Sequence, residues 1–448
     1  MRPSKNTGQC YSGKLRVASS IAIALIIISI VPGRVAAAPP FNTNARVDDT
    51  GSGTSGQYAP DMGLNGSGEI YVTWMDDRNG NDDIYFARSL DGGSSFQTNV
   101  RVDDTGVGTS NQRYPAMAVN SSGEIYIAWW DRREGADSDL YFARSLDEGV
   151  SFGTNIRLDD TGSGTSSQGS VDLAVGNDGT IYAAWLDNRN GNQHIWTANS
   201  TNEGQSFGTN RVIYALGSQA EPSIAMSDDG IIYVVWQDAT SGNNDIVLSK
   251  STNRGYTFTV PIRVDDTGSG TTEQSAPKVA VATNGDVYVA WYDYRNGNYD
   301  IYFAKSIDDG ASFGANVRVD DTGSNLFAQM GPSIAVHGNG NIYVAWYDAR
   351  NGATNWDIYY AVSTNGGASF GTNIRVDDSA VSSSQTWPDI KVDSIGDVYV
   401  VWQDNRNGNY DIYFSRTGYT TPEFSELILV FLIGTIATVI IFMRKFKR

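Results

Sequence analysis

Apolar residues in this chain come in short bursts that turn residues interrupt, as in Ile70-Tyr71-Val72-Thr73-Trp74. Alternation puts Ile70, Val72 and Trp74 on one side of an extended segment and Tyr71 with Thr73 on the other, so both faces are apolar. Bursts of Ile, Val, Tyr and Trp bounded by Gly, Asn, Asp and Ser predict strands. In one unit the order is Ser333-Ile334-Ala335-Val336, a Gly-containing turn, Ile342 to Trp346, a polar loop, Asp357-Ile358-Tyr359-Tyr360, an Asp-containing turn, and Arg375-Val376. That makes four short strands.

The unit recurs. Trp74, Trp129, Trp185, Trp236, Trp291, Trp346 and Trp402 are separated by 55, 56, 51, 55, 55 and 56 residues, a period that means blades or a solenoid. Sheets that are apolar on both faces must be covered on both sides. Radial packing of four-stranded sheets provides this and leaves only short edges, which predicts a seven-bladed β-propeller. A parallel β-helix would stack shorter coils without the tandem hairpins. The seventh copy stops at Thr417 without an Arg-Val strand of its own, whereas the chain has an unmatched Arg46-Val47 near its start. The N-terminal strand is therefore expected to complete the last blade.

Charge and composition narrow the chemistry. The only cysteine is Cys10 and the only histidines are His194 and His337, which disfavours thiolate nucleophiles, disulfides, His-based triads and His or Cys metal sites. Residues 1–38 combine basic residues, an apolar run from Val17 to Val31 and Ala36-Ala37-Ala38, the pattern of a signal peptide. Leu427 to Met443 is apolar and is followed by Arg444, Lys445, Lys447 and Arg448, the pattern of a membrane span with an internal basic end. Between them, residues 39–421 carry 23 basic and 48 acidic side chains, a net charge of −25. Nucleic acid is excluded as a partner, because phosphate binding needs clustered Lys and Arg.

Four-residue phrases of the type Arg263-Val264-Asp265-Asp266 recur between units, and a loop of the type Trp291-x-Asp293-x-Arg295-Asn296-Gly297 follows most of the tryptophans. The shifted form Arg132-Arg133-Glu134-Gly135 occurs in the second unit, and the fourth has Asp238-Ala239-Thr240-Ser241-Gly242 instead. Both motifs open on one face, and a hairpin whose Asp accepts turn N–H groups while its Arg pairs with carboxylates explains them. Carboxylates from the two loops could alternatively hold Ca²⁺, although the spacing of an EF-hand is absent.

The third-to-fourth-strand turn reads Ser-x-Asp-x-Gly-x-Ser-Phe. Its acidic or amide position is Asp91, Asp147, Asn202, Asn253, Asp308 and Asn365. It resembles the Asp-box, or BNR, repeat of sialidases and related propellers over nearly all of residues 41–417. Turn chemistry explains every position: Asp or Asn accepts backbone N–H groups, Gly takes positive φ, and Phe enters the core. Sialidases of that family hold a sugar carboxylate with three arginines and use a tyrosine–glutamate nucleophile pair with an aspartate as acid/base. Their Arg-Ile-Pro type motif is missing here and seven units depart from their six blades, so no catalytic residue carries over. Tyr114 with Glu221 is the pair such an enzyme would need. Pro422-Glu423-Phe424 before the apolar run resembles the PEF-type sorting signal of archaeal surface proteins, which implies cleavage near Pro422 and attachment to lipid.

Symmetry fails between each unit's Gln and its first apolar strand, where two positions vary. Tyr58, Arg113, Tyr114, Glu221 and Trp387 fall there, and these positions should line the mouth of the central channel. Aromatic stacking surfaces with a few polar anchors make a sugar or peptide site. The sequence thus predicts an exported, cell-surface-anchored monomer with an Asp-box propeller over 39–421 and a sorting signal or anchor over 422–448. Its channel face binds glycans or other envelope components. A sialidase-like glycoside hydrolase and a purely structural surface-layer protein are the alternatives.

Overall fold

The computed structural model describes residues 41–418 apart from 163, 324–325 and 380–381. The expected signal and the expected C-terminal span lie outside the described residues. From the inside outward, blade 1 consists of Gln57–Leu64, Ile70–Asp76, Asp83–Ser89 and Val100–Arg101, each antiparallel to the next. Seven such four-stranded sheets form an all-β propeller. Six take all their strands from one continuous stretch of chain. In blade 7 the outermost strand is Ala45–Arg46, with Ala45 facing Phe414 and Arg46 facing Tyr413. Arg46 also bonds Asp411 at 2.7 Å, and Asp48 accepts the Ile412 N–H at 3.0 Å.

The recurring tryptophans sit on the second strands and are fully buried. In blade 5, Trp291 lies in register with Tyr302 on the third strand, the rings 6.5 Å apart and nearly parallel. The Arg295 guanidinium covers the other end of this stack, 4.0 Å from the Tyr302 ring centre. Asp293, fully buried, ties the group together by accepting Trp291 Nε1 at 3.0 Å, the Arg295 N–H at 2.9 Å and Arg295 Nη2 at 2.7 Å. The Trp-x-Asp-x-Arg spacing is therefore a sealed stack, held by cation–π attraction and a buried charge-assisted bond.

The same arginine also joins blades. Arg295 Nη1 reaches Asp266 at 2.7 Å, and Asp266 belongs to the loop that leaves blade 4. Asp266 and Asn316 exchange further bonds, Asn316 N–H to Asp266 at 2.9 Å and Asp266 N–H to Asn316 at 2.8 Å. The neighbouring Asp265 turns back to accept the Ile246 N–H of its own blade at 3.0 Å. One aspartate of each pair thus finishes a blade and the other staples the next. Equivalent Arg–Asp links are Arg78–Asp49, Arg133–Asp104, Arg189–Asp160, Arg350–Asp321 and Arg406–Asp378. In the shifted loop of blade 2 it is Arg133, and not Arg132, that takes the stacking place, 3.8 Å from the Tyr141 ring centre.

The exception is the seam between blades 3 and 4. Blade 3 ends in Arg211-Val212-Ile213-Tyr214 in place of the Asp-Asp phrase, and blade 4 has Ala239-Thr240 where the arginine would stand. Both partners of the staple are missing together. Gln219 Oε1 replaces only the blade-finishing aspartate, accepting the Ile195 N–H at 2.8 Å, and the connection is shorter, which accounts for the 51-residue spacing.

On the opposite face the repeated Asp-containing turns also act between blades. Asp91 accepts Ser95 Oγ at 2.6 Å, Ser95 N–H at 2.9 Å and Ser89 Oγ at 2.8 Å, and these bonds hold its carboxyl down at about 2. Asn202 reproduces the acceptor role with Ser206 N–H at 3.1 Å. The terminal Phe96 packs edge-on against Phe414 of the preceding blade, 5.4 Å away, as Phe152 does on Phe86. Gly149 must be glycine, because a Cβ there would lie 2.3 Å from the Phe86 ring and φ is +80°.

Candidate functional site: the channel mouth

The inner strands surround a cavity of about 860 Å³. Each inner strand contains a bulge: pairing is regular for the Gln and the next residue, then shifts before the fourth residue after the Gln, as between Tyr58 and Asp61. At the second residue after the Gln, φ is positive in all seven blades. The residues are Ala59, Tyr114, Ser170, Glu221, Ala276, Gly331 and Trp387, with φ between 45° and 58°. Six of them carry a side chain in a conformation that costs an L-residue about 1–2 kcal/mol. The bulge turns these side chains toward the axis.

This separates the two variable positions. Tyr114, Glu221 and Trp387 line the cavity, and Tyr114 and Trp387 are about half exposed. Tyr58 and Arg113, one residue earlier, are not among its lining residues. Tyr58 packs on Tyr410, with ring centres 5.5 Å apart. Arg113 is ion-paired with Asp82 of blade 1 and lies over the Trp130 ring. Side chains absent from the sequence-based candidates join the lining, among them Tyr292 and Tyr347. Each precedes the buried Asp of its second strand, a position that reads Met75, Trp130, Leu186, Gln237, Tyr292, Tyr347 and Gln403 around the ring. Such variation inside an otherwise repeated strand was the available signal. Tyr347 lies directly over Gly331, where a Cβ would stand 2.4 Å from its ring. Burial, then Tyr292 and Glu221, push the Tyr347 phenol up; burial, with Glu221 and Glu273 adding to it, does the same to Tyr292 against a hydrogen bond from Ser275.

One layer deeper, the fourth residues after the Gln form a belt. Asp61 accepts the Met117 N–H of the next blade at 2.7 Å, Asp172 that of Ile224 at 3.0 Å, Ser223 that of Val279 at 3.4 Å, Ser333 that of Ile390 at 3.3 Å, and Asp389 that of Met62 at 3.1 Å. Polar residues here satisfy backbone donors released by the bulge. Blades 2 and 5 have Ala116 and Lys278, which cannot accept. Between blades 7 and 1, burial and then the neighbouring Asp389 push the Asp61 carboxyl up to about 7. Burial would raise Asp389 too, but Lys391, 2.7 Å away, keeps it below the usual range. The proton of this pair therefore resides on Asp61.

The lining contains no arginine. The phenols on which the Glu221 charge acts are Tyr292 and Tyr347, and both are held neutral, the opposite of what activates a tyrosine nucleophile. The carboxylates of the outer loops are occupied by Arg, Asn and backbone N–H groups. Among the described residues, no group of three or more His, Cys, Asp or Glu side chains is arranged to hold a metal ion.

No protein-family profile and no curated protein matches this sequence. Solved structures do match. An α-L-arabinofuranosidase of Fusarium graminearum, solved with arabinobiose, is 11% identical and aligns over 84% of this chain and 97% of its own with a TM-score of 0.53. The α-L-arabinanase of Penicillium chrysogenum, also with arabinobiose, is 14% identical over 84% of this chain and 98% of its own, with a TM-score of 0.50. The Hadza microbial sialidase Hz136 is 13% identical over 80% of this chain and 74% of its own, with a TM-score of 0.47. At these identities the likeness to the arabinofuranosidase and the arabinanase shows a shared propeller fold.

Proposed function

We propose that this protein is a binding module for glycans or other envelope components, exported and displayed at the cell surface, with the channel mouth as its site. The observation that carries the reading is the contrast at the mouth: Tyr114, Glu221 and Trp387 have no equivalents in other blades, and the bulge turns all three toward one cavity. Half-exposed aromatic rings beside a free carboxylate suit a hydroxyl-rich ligand, with the rings stacking on sugar faces and the carboxylate accepting hydroxyl donors. The fold neighbours solved with arabinobiose make saccharides the first ligands to test. A glycan array probed with the full-length chain should give discrete hits, and Trp387→Ala should weaken them by about 1–3 kcal/mol. An array without hits would reject glycans as the ligand.

The alternative is a glycoside hydrolase. Asp61 and Asp389 favour it, since one carboxyl is protonated beside one ionised, as an acid/base pair requires. Against it, the two are hydrogen-bonded to each other, whereas glycosidase carboxyls stand about 5 Å or more apart to admit the substrate. Turnover of fluorogenic sialosides or arabinosides that vanishes in Glu221→Gln or Asp61→Asn would replace the binding module by the enzyme.

Export and anchoring rest on residues 1–38 and 422–448. Mass spectrometry of the native protein should find no peptides from Arg444 onward if the tail is cut near Pro422. Their recovery at full stoichiometry would leave a plain membrane anchor.

A further inference from the structure

Six charged side chains line the channel: Asp61, Asp172, Glu221, Lys278, Asp389 and Lys391. Four are accounted for by the scaffold. Asp61 and Asp172 receive backbone N–H groups of the following blades. Asp389 receives Met62 N–H and Ser333 Oγ, and Lys391 is paired with Asp389. Glu221 and Lys278 make no such bond: neither side chain has a hydrogen-bond or ion-pair partner among the described residues, and they are not paired with each other. They stand on adjacent blades, 4 and 5. Neither is demanded by the fold, since other blades place Ala, Tyr, Ser, Gly or Trp at the first position and Asp, Ala or Ser at the second. Lys278 even occupies a place where a belt acceptor would otherwise stand.

The surroundings are equally uneven. From Glu221 on blade 4 to Trp387 on blade 7, the mouth residues between them are the small Ala276 and Gly331. This part of the cavity, a shallow recess, is walled by Tyr292 and by Tyr347, whose ring takes the space over Gly331, with the unpartnered carboxylate at one end and an exposed indole at the other. Ring faces attract a cation, and phenols kept neutral preserve that face. Lys278 lies two residues further along its strand than the mouth position, beyond the bulge and in the belt layer. One small ligand can reach both layers.

We infer that the recess between blades 4 and 7 accepts a zwitterionic saccharide, its ammonium group against Glu221 and the ring faces of Tyr292 and Tyr347, its carboxylate against Lys278, and its sugar ring toward Trp387. This rests on the glycan-binding reading above and adds the charge pattern of the ligand. An anionic sugar alone, which a sialidase site would hold with arginines, would meet Glu221 without a neutralising partner.

Four amino sugars on one glucosamine frame, with the carboxylate carried by a lactyl ether and the ammonium masked by acetylation, provide the test: muramic acid (ammonium and carboxylate), glucosamine (ammonium), N-acetylmuramic acid (carboxylate) and N-acetylglucosamine (neither). Titrated into the full-length chain and followed by NMR at low salt, muramic acid should bind at least tenfold more tightly than N-acetylglucosamine, with the singly charged sugars between. Glu221→Gln should bring muramic acid to the level of N-acetylmuramic acid and leave both N-acetylated sugars unchanged or tighter. Lys278→Met should remove the gain from the carboxylate alone. Thermal melting of both variants checks that the fold is intact. Equal affinity for all four sugars would overturn the inference and leave the glycan reading standing, as would preference for N-acetylmuramic acid. Binding of 6-aminohexanoate alone, lost in both variants, would refute the saccharide while keeping Glu221 and Lys278 as the charge-recognising pair. No response to any probe overturns the inference, and the glycan array then decides the wider reading.

Discussion

Two rings of side chains circle the propeller axis on the same face and follow opposite rules. In the outer ring, Arg78, Arg133, Arg189, Arg295, Arg350 and Arg406 each cover a buried aromatic and bond an aspartate of the adjoining loop, so every charge is used and the pattern repeats. In the inner ring the backbone repeats, with the same bulge and the same positive φ, while the side chains do not. The difference separates cohesion from recognition. Blades need identical staples because each seam poses the same problem, whereas a ligand approaching the axis has no sevenfold symmetry to match. Even the failure of the outer ring fits: between blades 3 and 4 the arginine and the aspartates disappear together, since either left alone would be a charge without its partner.

The largest expected effect tests the outer ring. Asp293→Ala strips the acceptor from Trp291 Nε1 and from Arg295 and should cost about 3–5 kcal/mol in urea unfolding, with ligand binding by the folded protein unchanged. Asp238→Ala, in the blade without the arginine, should cost only about 1–3 kcal/mol, because a neutral indole, a turn N–H and the Gln219 amide are what it leaves unmatched. Equal costs would mean that the arginine staple adds nothing.

The belt below the mouth comes next. The Asp61 carboxyl is raised in the folded protein to about 7 from 3.8, so the folded state retains a proton that the unfolded chain gives up. Its contribution is fully present below about pH 4 and is lost as pH rises through 7. Asp61→Asn mimics the protonated form. The unfolding midpoint of the native protein should therefore fall relative to that of the variant between pH 4 and pH 7. Parallel profiles would show that Asp61 ionises as freely folded as unfolded.

The smallest effect has the least intuitive sign. Trp387 adopts φ of 56° with its ring half exposed. Trp387→Gly relieves that strain and should raise stability slightly, by about 0.5–1 kcal/mol net of the extra chain entropy of glycine, while ligand binding collapses. A loss of stability instead would place the indole in the scaffold.

The repeats were legible in the sequence because each serves a local or nearest-neighbour need: two apolar faces per strand, a turn at each Asp-Gly, a stacked Trp-x-Asp-x-Arg. They fixed the all-β class, the number of blades and the strand order, and the variable positions after each Gln marked the mouth. Which of the two variable residues faces the axis was not legible. A one-residue bulge decides it: six residue types occupy the bulged position, and its one mark in the sequence is the Pro that follows in six of the seven blades, as at Pro60 and Pro388. Tyr292 and Tyr347 carried only the variation of the residue before each buried Asp as a mark, and what that variation meant depended on the ring, which brings Tyr347 over Gly331. The sequence by itself determined the blades and the staples between them, because those interactions join residues at fixed separations along the chain. Only the tertiary structure decided which charges remain unspent: whether Glu221 and Lys278 have partners depends on what the other blades place around a common axis.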